Sequence, residues 1–89
     1  VHGAFFVVDN DSGVVIATAG YATTVETMDR NRFKLGEGLI GQVGKTKEML
    51  CLDDVETQVD SSLGRINASF LIITPLVFNN TVYGVIEIT

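Results

Sequence analysis

The chain has 89 residues, of which 46% are hydrophobic, 8% aromatic and 19% charged. This composition is typical of one folded domain and unlike that of a disordered chain. Eleven acidic and six basic residues give a net charge of −5, which argues against a nucleic-acid or membrane partner for this domain. The single cysteine, Cys51, cannot form an internal disulfide, so we expect a cytoplasmic protein.

The ends of the chain predict that it is part of something longer. It begins at Val1 and enters an apolar run almost at once, and its last seven residues, 83–89, are also typical of a strand. We therefore expect residues 1–89 to be a single domain core from a longer multidomain protein, whose effector activity lies elsewhere.

The first predicted element is a β-hairpin. Residues 4–8 are aromatic, β-branched and small, and the next five residues, Asp9 to Gly13, are typical of a turn. Residues 14–19 return to an apolar run. Strand, turn and strand in this order predict a hairpin.

A helix and a short strand are predicted in the middle of the chain. After a polar stretch, 23–34, apolar side chains recur at helical spacing at Leu39, Ile40 and Val43. This spacing predicts a short helix over about 38–46. Residues 49–52 predict a brief strand.

The segment from 53 to 67 is polar with four apolar residues. They are separated by four, four and three positions, at Val55, Val59, Leu63 and Ile66. This spacing predicts one stripe of a short amphipathic helix, and a loose loop is the alternative.

A second hairpin is predicted near the C-terminus. Residues 69–78 are mainly apolar, Asn79 and Asn80 suit the positive φ angles of a type I′ turn, and residues 82–88 are apolar again. Because 70–73 and 85–86 do not alternate with polar residues, we expect both faces of these strands to be covered in the intact protein. Pro75 lacks an N–H and predicts an edge position or a bulge.

Two features of the sequence could in principle bind a nucleotide or act as a nucleophile, but the residues around them favour a structural role for each. The sequence Gly36-x-Gly38-x-x-Gly41 has the letters of a dinucleotide fingerprint, but no buried strand precedes it and no βαβ unit follows. Cys51 lies between apolar residues with no histidine nearby, which predicts a packed strand cysteine rather than a nucleophile.

Three segments together resemble the GAF domain family. They are Leu35-Gly-Glu-Gly-Leu-Ile-Gly-Gln-Val43, Met49-Leu-Cys-Leu-Asp-Asp-Val55, and Phe70-Leu-Ile-Ile-Thr-Pro-Leu76 running into Val82-Tyr-Gly-Val-Ile-Glu-Ile88. The resemblance covers nearly the whole chain but not the family's flanking helices. It implies an α+β fold, with a GAF/PAS-like antiparallel sheet of about five to six strands and short helices on one face. In the intact protein it implies helices on both sides, a small-molecule pocket on one side and dimerisation through the other.

The resemblance also implies which residues line the pocket. By position these are Thr18, Leu39, Ile40, Ser62, Asn67 and Glu87. Leu39 and Ile40 would supply apolar walls and backbone amides, and the polar side chains would bond to a planar or carboxylate-bearing ligand. For Glu87 the alternative is a solvated position on an uncovered sheet face.

The sequence therefore predicts a small-molecule-binding regulatory domain of a signal-transduction protein, acting as a homodimer. The alternative is a ligand-free dimerisation or interaction module. An enzyme is not expected: the Cys-His pair of bilin-attaching members is missing, and one cysteine leaves no partner thiol for the cycle of sulfoxide-reducing members. No cofactor or metal is assigned, and the pattern of cyclic-nucleotide-responsive members is not recognisable.

Overall fold

The computed structural model describes residues 2–22, 24–28, 30–53, 58–61, 64–67 and 70–89. These residues form eight strands: β1 Gly3–Asp9, β2 Val14–Tyr21, β3 Arg32–Lys34, β4 Leu50–Asp53, β5 Gln58–Ser61, β6 Gly64–Asn67, β7 Phe70–Phe78 and β8 Thr81–Ile88. A short 3-10 helix covers Val25–Thr27, and helix α1 covers Gly38–Thr46. Six strands form one antiparallel sheet in the order β3-β2-β1-β8-β7-β4, beside a two-stranded sheet of β5 and β6. The predicted α+β class is confirmed.

Both predicted hairpins are present. β1 pairs with β2, with a shift in register between Phe5 and Phe6. β7 pairs with β8 around Asn79 and Asn80, whose φ angles of 49° and 62° are those a type I′ turn requires. At the ends of the chain, the backbones of His2 and Thr89 exchange two hydrogen bonds, which extends the pairing of β1 with β8.

The core lies between the sheet and α1. Alternate side chains of the strands face the helix and are buried, including Phe6, Val15, Ile73 and Val85. The helix contributes Ile40 and Val43 to the same cluster. We call the covered side of the sheet the helix face and its other side the far face.

Glycines allow α1 to approach the sheet closely. A Cβ at Gly41 would lie 2.2 Å from the carbonyl oxygen of Lys34, and one at Gly44 would lie 2.9 Å from Leu35 Cδ2. Gly38, the first residue of the helix, has a φ of +63° and faces the ring of Phe33. These close approaches explain the fingerprint-like spacing of the glycines by packing, without a nucleotide.

Strand β3 lies within the stretch 30–34 that the sequence did not predict to be a strand. Only Phe33 of its three residues is buried, and its ring meets that of Phe6 edge-on, 5.8 Å between centroids. The outer edge of β3 is capped by side chains: Arg30 Nε donates to the Arg32 carbonyl at 3.0 Å, and the Lys34 amide donates to the Glu37 carboxylate at 3.2 Å. Arg30 also forms an ion pair with Glu37 and lies over the Phe33 ring. A short, capped edge resists pairing with another strand.

The predicted amphipathic helix within 53–67 is wrong. The described part of this segment is the antiparallel pair β5–β6, in which Val59 lies opposite Ile66. The spacing of Val59 and Ile66 that suggested a helical stripe also fits opposite positions of a hairpin. Val55 and Leu63 lie outside the described residues.

Two single-residue expectations have different outcomes. Pro75 lies in β7 beyond the last residue that pairs with β4, and the register shifts between Leu76 and Val77, so its position is edge-like as predicted. Cys51 is exposed, so the expected packed cysteine is wrong. It alternates in β4 with Leu50 and Leu52, which pack against the core, and this alternation turns it to the far face.

Candidate functional site

Among the described residues, Glu87 is the one polar residue that is buried, with 1% of its surface exposed. It lies in β8, a central strand of the sheet, opposite Ala4 of β1 and Ile73 of β7. Both neighbours belong to the buried cluster on the helix face. The alternative of a solvated position on the uncovered face is therefore wrong for Glu87.

Helix α1 brings Leu39 and Ile40 to the same side of the sheet as Glu87. Ile40 is 1% exposed, and Leu39 is partly buried against the core. Further along the helix, a Cβ at Gly44 would lie 3.7 Å from Val85, which precedes Glu87 by two residues on β8. Three of the six predicted pocket residues thus share one layer of the structure.

Of the other three predicted residues, Thr18 does not belong to this layer. Thr18 is the extra residue where β2 bulges against β1, and it is exposed, with its hydroxyl donating to the Phe5 carbonyl at 3.3 Å. Asn67 ends β6, on the hairpin whose strand β5 lies against α1. Ser62 lies outside the described residues, as does the side chain of Asn67.

The interior between α1 and the sheet is closed at the two central positions. With 1% of each side chain exposed, neither Ile40 nor Glu87 borders open space. A carboxylate in such surroundings is costly unless donors or a positive charge surround it. A ligand that reached Glu87 would therefore have to displace side chains or move α1.

The far face contains a groove that the sequence did not single out as a site. Its volume is about 410 Å³, and its walls are mainly apolar, with contributions from His2, Phe5, Tyr21, Ile86 and Ile88. Tyr21 is 71% exposed and Val7, elsewhere on this face, 42%. The signal in the sequence was the unbroken apolar run at 85–86, which predicted that the second face of the strand is apolar as well.

The Asp9 carboxylate has a shifted pKa, but it lies outside the layer that contains Glu87. The Ser12 hydroxyl, followed by the amides of Asp11 and Ser12, bonds to the Asp9 carboxylate and lowers its pKa below the ordinary value of 3.8. The Asp9 carboxylate lies at the β1–β2 turn, away from α1.

Among the described residues, no three His, Cys, Asp or Glu side chains are grouped to hold a metal ion. None of the described helices is long and apolar enough to cross a membrane.

Comparison with solved structures identifies the fold. No protein-family model and no curated protein matches the chain. It is similar to the GAF domain of a phosphoenolpyruvate-protein phosphotransferase from Coxiella burnetii, with 23% identity and a TM-score of 0.73 over 97% of this chain and 54% of that one. It is also similar to the nlh2 GAF domain from A. aeolicus in an inactive state, with 22% identity and a TM-score of 0.73 over 97% and 54% of the two chains.

A third similar structure is an enzyme. It is the free methionine-R-sulfoxide reductase from Neisseria meningitidis in complex with its substrate, with 23% identity and a TM-score of 0.70 over 97% of this chain and 49% of that one. The chain therefore has the GAF fold, as the sequence predicted, and spans about half the length of these three structures. At these identities the likeness defines the fold alone.

Proposed function

We propose that this protein is a regulatory domain that binds a small molecule between α1 and the sheet and transmits its occupancy to an effector elsewhere in a longer protein. The observation that carries the proposal is Glu87, a carboxylate kept in the apolar core beneath the helix. A buried carboxylate is stabilised by interactions within the protein, which Glu87 has, and it can offer the same group to a ligand that enters beneath the helix. The fold shared with GAF domains supports the regulatory class.

The closed interior determines how such a domain would signal. Since Ile40 and Glu87 are both sealed from solvent, a ligand at this site binds a conformation in which the surrounding side chains are displaced or α1 has moved away from the sheet. The ligand shifts the population toward that conformation only by its difference in affinity for the two states. Movement of α1 would then change the surface presented to the effector.

Native mass spectrometry of gently purified protein tests this proposal. We expect a small molecule to be retained in the folded protein and lost on denaturation. Glu87→Gln, which keeps the shape and removes the charge, should reduce the retained fraction. Glu48→Gln, the same change at an exposed position after α1, is the matched control. Equal retention by both variants would show that the ligand does not contact Glu87, and no retained mass at native or added metabolite concentrations would contradict the proposal.

A ligand-free interaction module is the second candidate, and the far face favours it. An apolar groove of about 410 Å³, together with exposed Tyr21 and Val7, is typical of a protein–protein interface. For this function we expect a homodimer through the far face. Sedimentation of wild type and Val7→Glu would detect it, because a buried charge dissociates such an interface, whereas Glu48→Gln should leave the dimer intact. A monomer at all concentrations would contradict this candidate.

We further propose that the domain has no enzymatic activity. A sulfoxide reductase of the kind found in the Neisseria structure is the alternative to exclude. Cys51 is exposed but is the sole cysteine of the chain, so a disulfide formed in turnover would have no partner within it. We expect no reduction of free methionine sulfoxide in the presence of a thiol reductant. Turnover by wild type that disappears in Cys51→Ser would contradict this proposal.

A further inference from the structure

The connection that leads into α1 is fixed by backbone hydrogen bonds. Its three amides, at positions 35–37, all donate to backbone carbonyls, at distances between 2.8 and 2.9 Å. The first turn of the helix then packs backbone to backbone, because there is no room for a Cβ between Gly41 and the Lys34 carbonyl. Glu37 also forms an ion pair with Arg30. This end of the helix can leave the sheet only if several of these contacts break.

The connection that leaves α1 is held by fewer contacts. Residues 47–49 join the helix to β4. The Lys47 amide caps the helix on the Val43 carbonyl, and the Glu48 amide reaches only the Thr46 hydroxyl, at 3.4 Å. Both acceptors belong to α1 itself, so neither bond ties the helix to the sheet. This end can therefore move while β4 stays paired with β7.

Packing beneath the two ends of α1 differs in the same direction. At Gly41 the nearest atoms are those of the backbone, whereas a Cβ at Gly44 would meet side-chain atoms of Leu35, Val15 and Val85. Side chains can change rotamer as a helix moves, but the backbone of a paired strand cannot follow in this way. The second half of the helix therefore rests on the more yielding surface.

Among the described residues, one side-chain hydrogen bond joins the C-terminal end of α1 to the strands. The ammonium group of Lys47 donates to the carbonyl oxygen of Asn80, in the turn between β7 and β8. A cation at the C-terminal end of a helix interacts favourably with the helix dipole wherever its side chain points. The dipole therefore does not explain why Lys47 reaches the turn, and the contact holds this end of the helix in place.

We propose that α1 is a lid that swings on its N-terminal end, and that the contact between Lys47 and Asn80 holds it closed. Its role rests on the proposed function, because opening would admit a ligand to the layer that contains Glu87. The contact is a single hydrogen bond from a charged group at the protein surface, so its loss should raise the open population by about two- to fivefold. Lys47 thus sets the fraction of the protein that can bind.

Thiol labelling beneath the helix tests the lid without any ligand. Val43 is a core residue of α1 with 3% of its surface exposed, and cysteine nearly conserves its volume. In a Cys51→Ser background, which removes the exposed thiol, the Val43→Cys thiol should react with an aromatic disulfide reagent only when the helix opens. We expect a labelling rate that changes little at low urea concentrations, because local opening exposes little surface.

Three further substitutions in this labelling background locate the hinge. Lys47→Gln should speed labelling by about two- to fivefold, because it removes a contact that only the closed state makes. Lys47→Arg keeps a cationic donor and should label at the parental rate. Arg30→Gln is the matched control, because the ion pair with Glu37 lies at the end that stays in place and is lost equally from both states. Thermal unfolding checks that each variant is folded.

Three results would overturn the lid: labelling that rises steeply with urea as global unfolding does, no acceleration in Lys47→Gln, or an equal acceleration in Arg30→Gln. Native mass spectrometry tests the proposed function separately. Labelling as expected in a protein that retains no small molecule would support the lid and contradict the proposed function. A retained small molecule together with steeply urea-dependent labelling would do the reverse.

Discussion

The backbone of Gly41 in α1 lies directly against the carbonyl oxygen of Lys34 at the end of β3. A Cβ at position 41 would stand 2.2 Å from that oxygen and 3.2 Å from the amide nitrogen of Gly36. Both are backbone atoms and cannot rotate away. The contact fixes how the helix begins against the sheet, and with it the position of Ile40.

Gly41→Ala should therefore strongly destabilise the protein. We expect the free energy of unfolding to fall by about 2–3 kcal/mol, because the helix must shift to relieve the overlap. Gln42→Ala, at an exposed position of the same helix, is the control and should stay within about 0.5 kcal/mol of wild type. Denaturant unfolding measures both. Near-wild-type stability of Gly41→Ala would show that α1 does not pack as described.

The backbone of the β7–β8 turn predicts that alanine and glycine at position 80 give proteins of different stability. Its φ of 62° is in the left-handed region, which glycine adopts freely and alanine does not. We expect Asn80→Ala to be less stable than Asn80→Gly by about 1 kcal/mol. The Lys47 contact is to the backbone carbonyl and is available in both variants. Equal stabilities in thermal or denaturant unfolding would argue against a type I′ turn.

The Asp9 carboxylate predicts a dependence of stability on pH. Its pKa is lowered in the folded protein, first by the Ser12 hydroxyl and then by two amides. A lowered pKa stabilises the fold above the unfolded-state pKa, and this contribution disappears as pH falls through the folded-state value. Asp9→Ala should therefore be less stable than wild type at neutral pH, and the difference should narrow in acid. Asp11→Ala, which removes a charge from the same turn, is the control. A difference independent of pH would contradict this assignment.

The sequence predicted those elements whose local signals agree with the tertiary fold. Both hairpins have turn residues with the required backbone freedom, and α1 has its apolar stripe between glycines. It failed at 58–67, because Val59 and Ile66 fit a helical stripe as well as a cross-strand pair. It missed β3, because three residues with only Phe33 buried produce no periodic pattern and are specified by pairing with β2.

The candidate site was predictable only in part, because the sequence does not show which face of a strand is turned toward the helix. The resemblance located Glu87 on the last strand, but its burial depends on which face of β8 the pleat turns toward α1, and a shift of one residue would reverse it. The exposure of Cys51 follows from the same alternation, in β4. The far-face groove arises from residues distant in sequence, which no local pattern brings together.

Mapping of amide chemical shifts by NMR would locate the binding site. Isotope-labelled protein would be titrated with each of a panel of free amino acids, small carboxylic acids and nucleotides. For a site between α1 and the sheet, we expect at least one compound to shift resonances of α1, with Ile40 among them, and of Glu87 in β8, and to leave Phe5 and Tyr21 on the far face unchanged. Shifts confined to Phe5, Tyr21 and Ile88, or no shifts from any compound that native mass spectrometry detects on the protein, would contradict a binding site between α1 and the sheet.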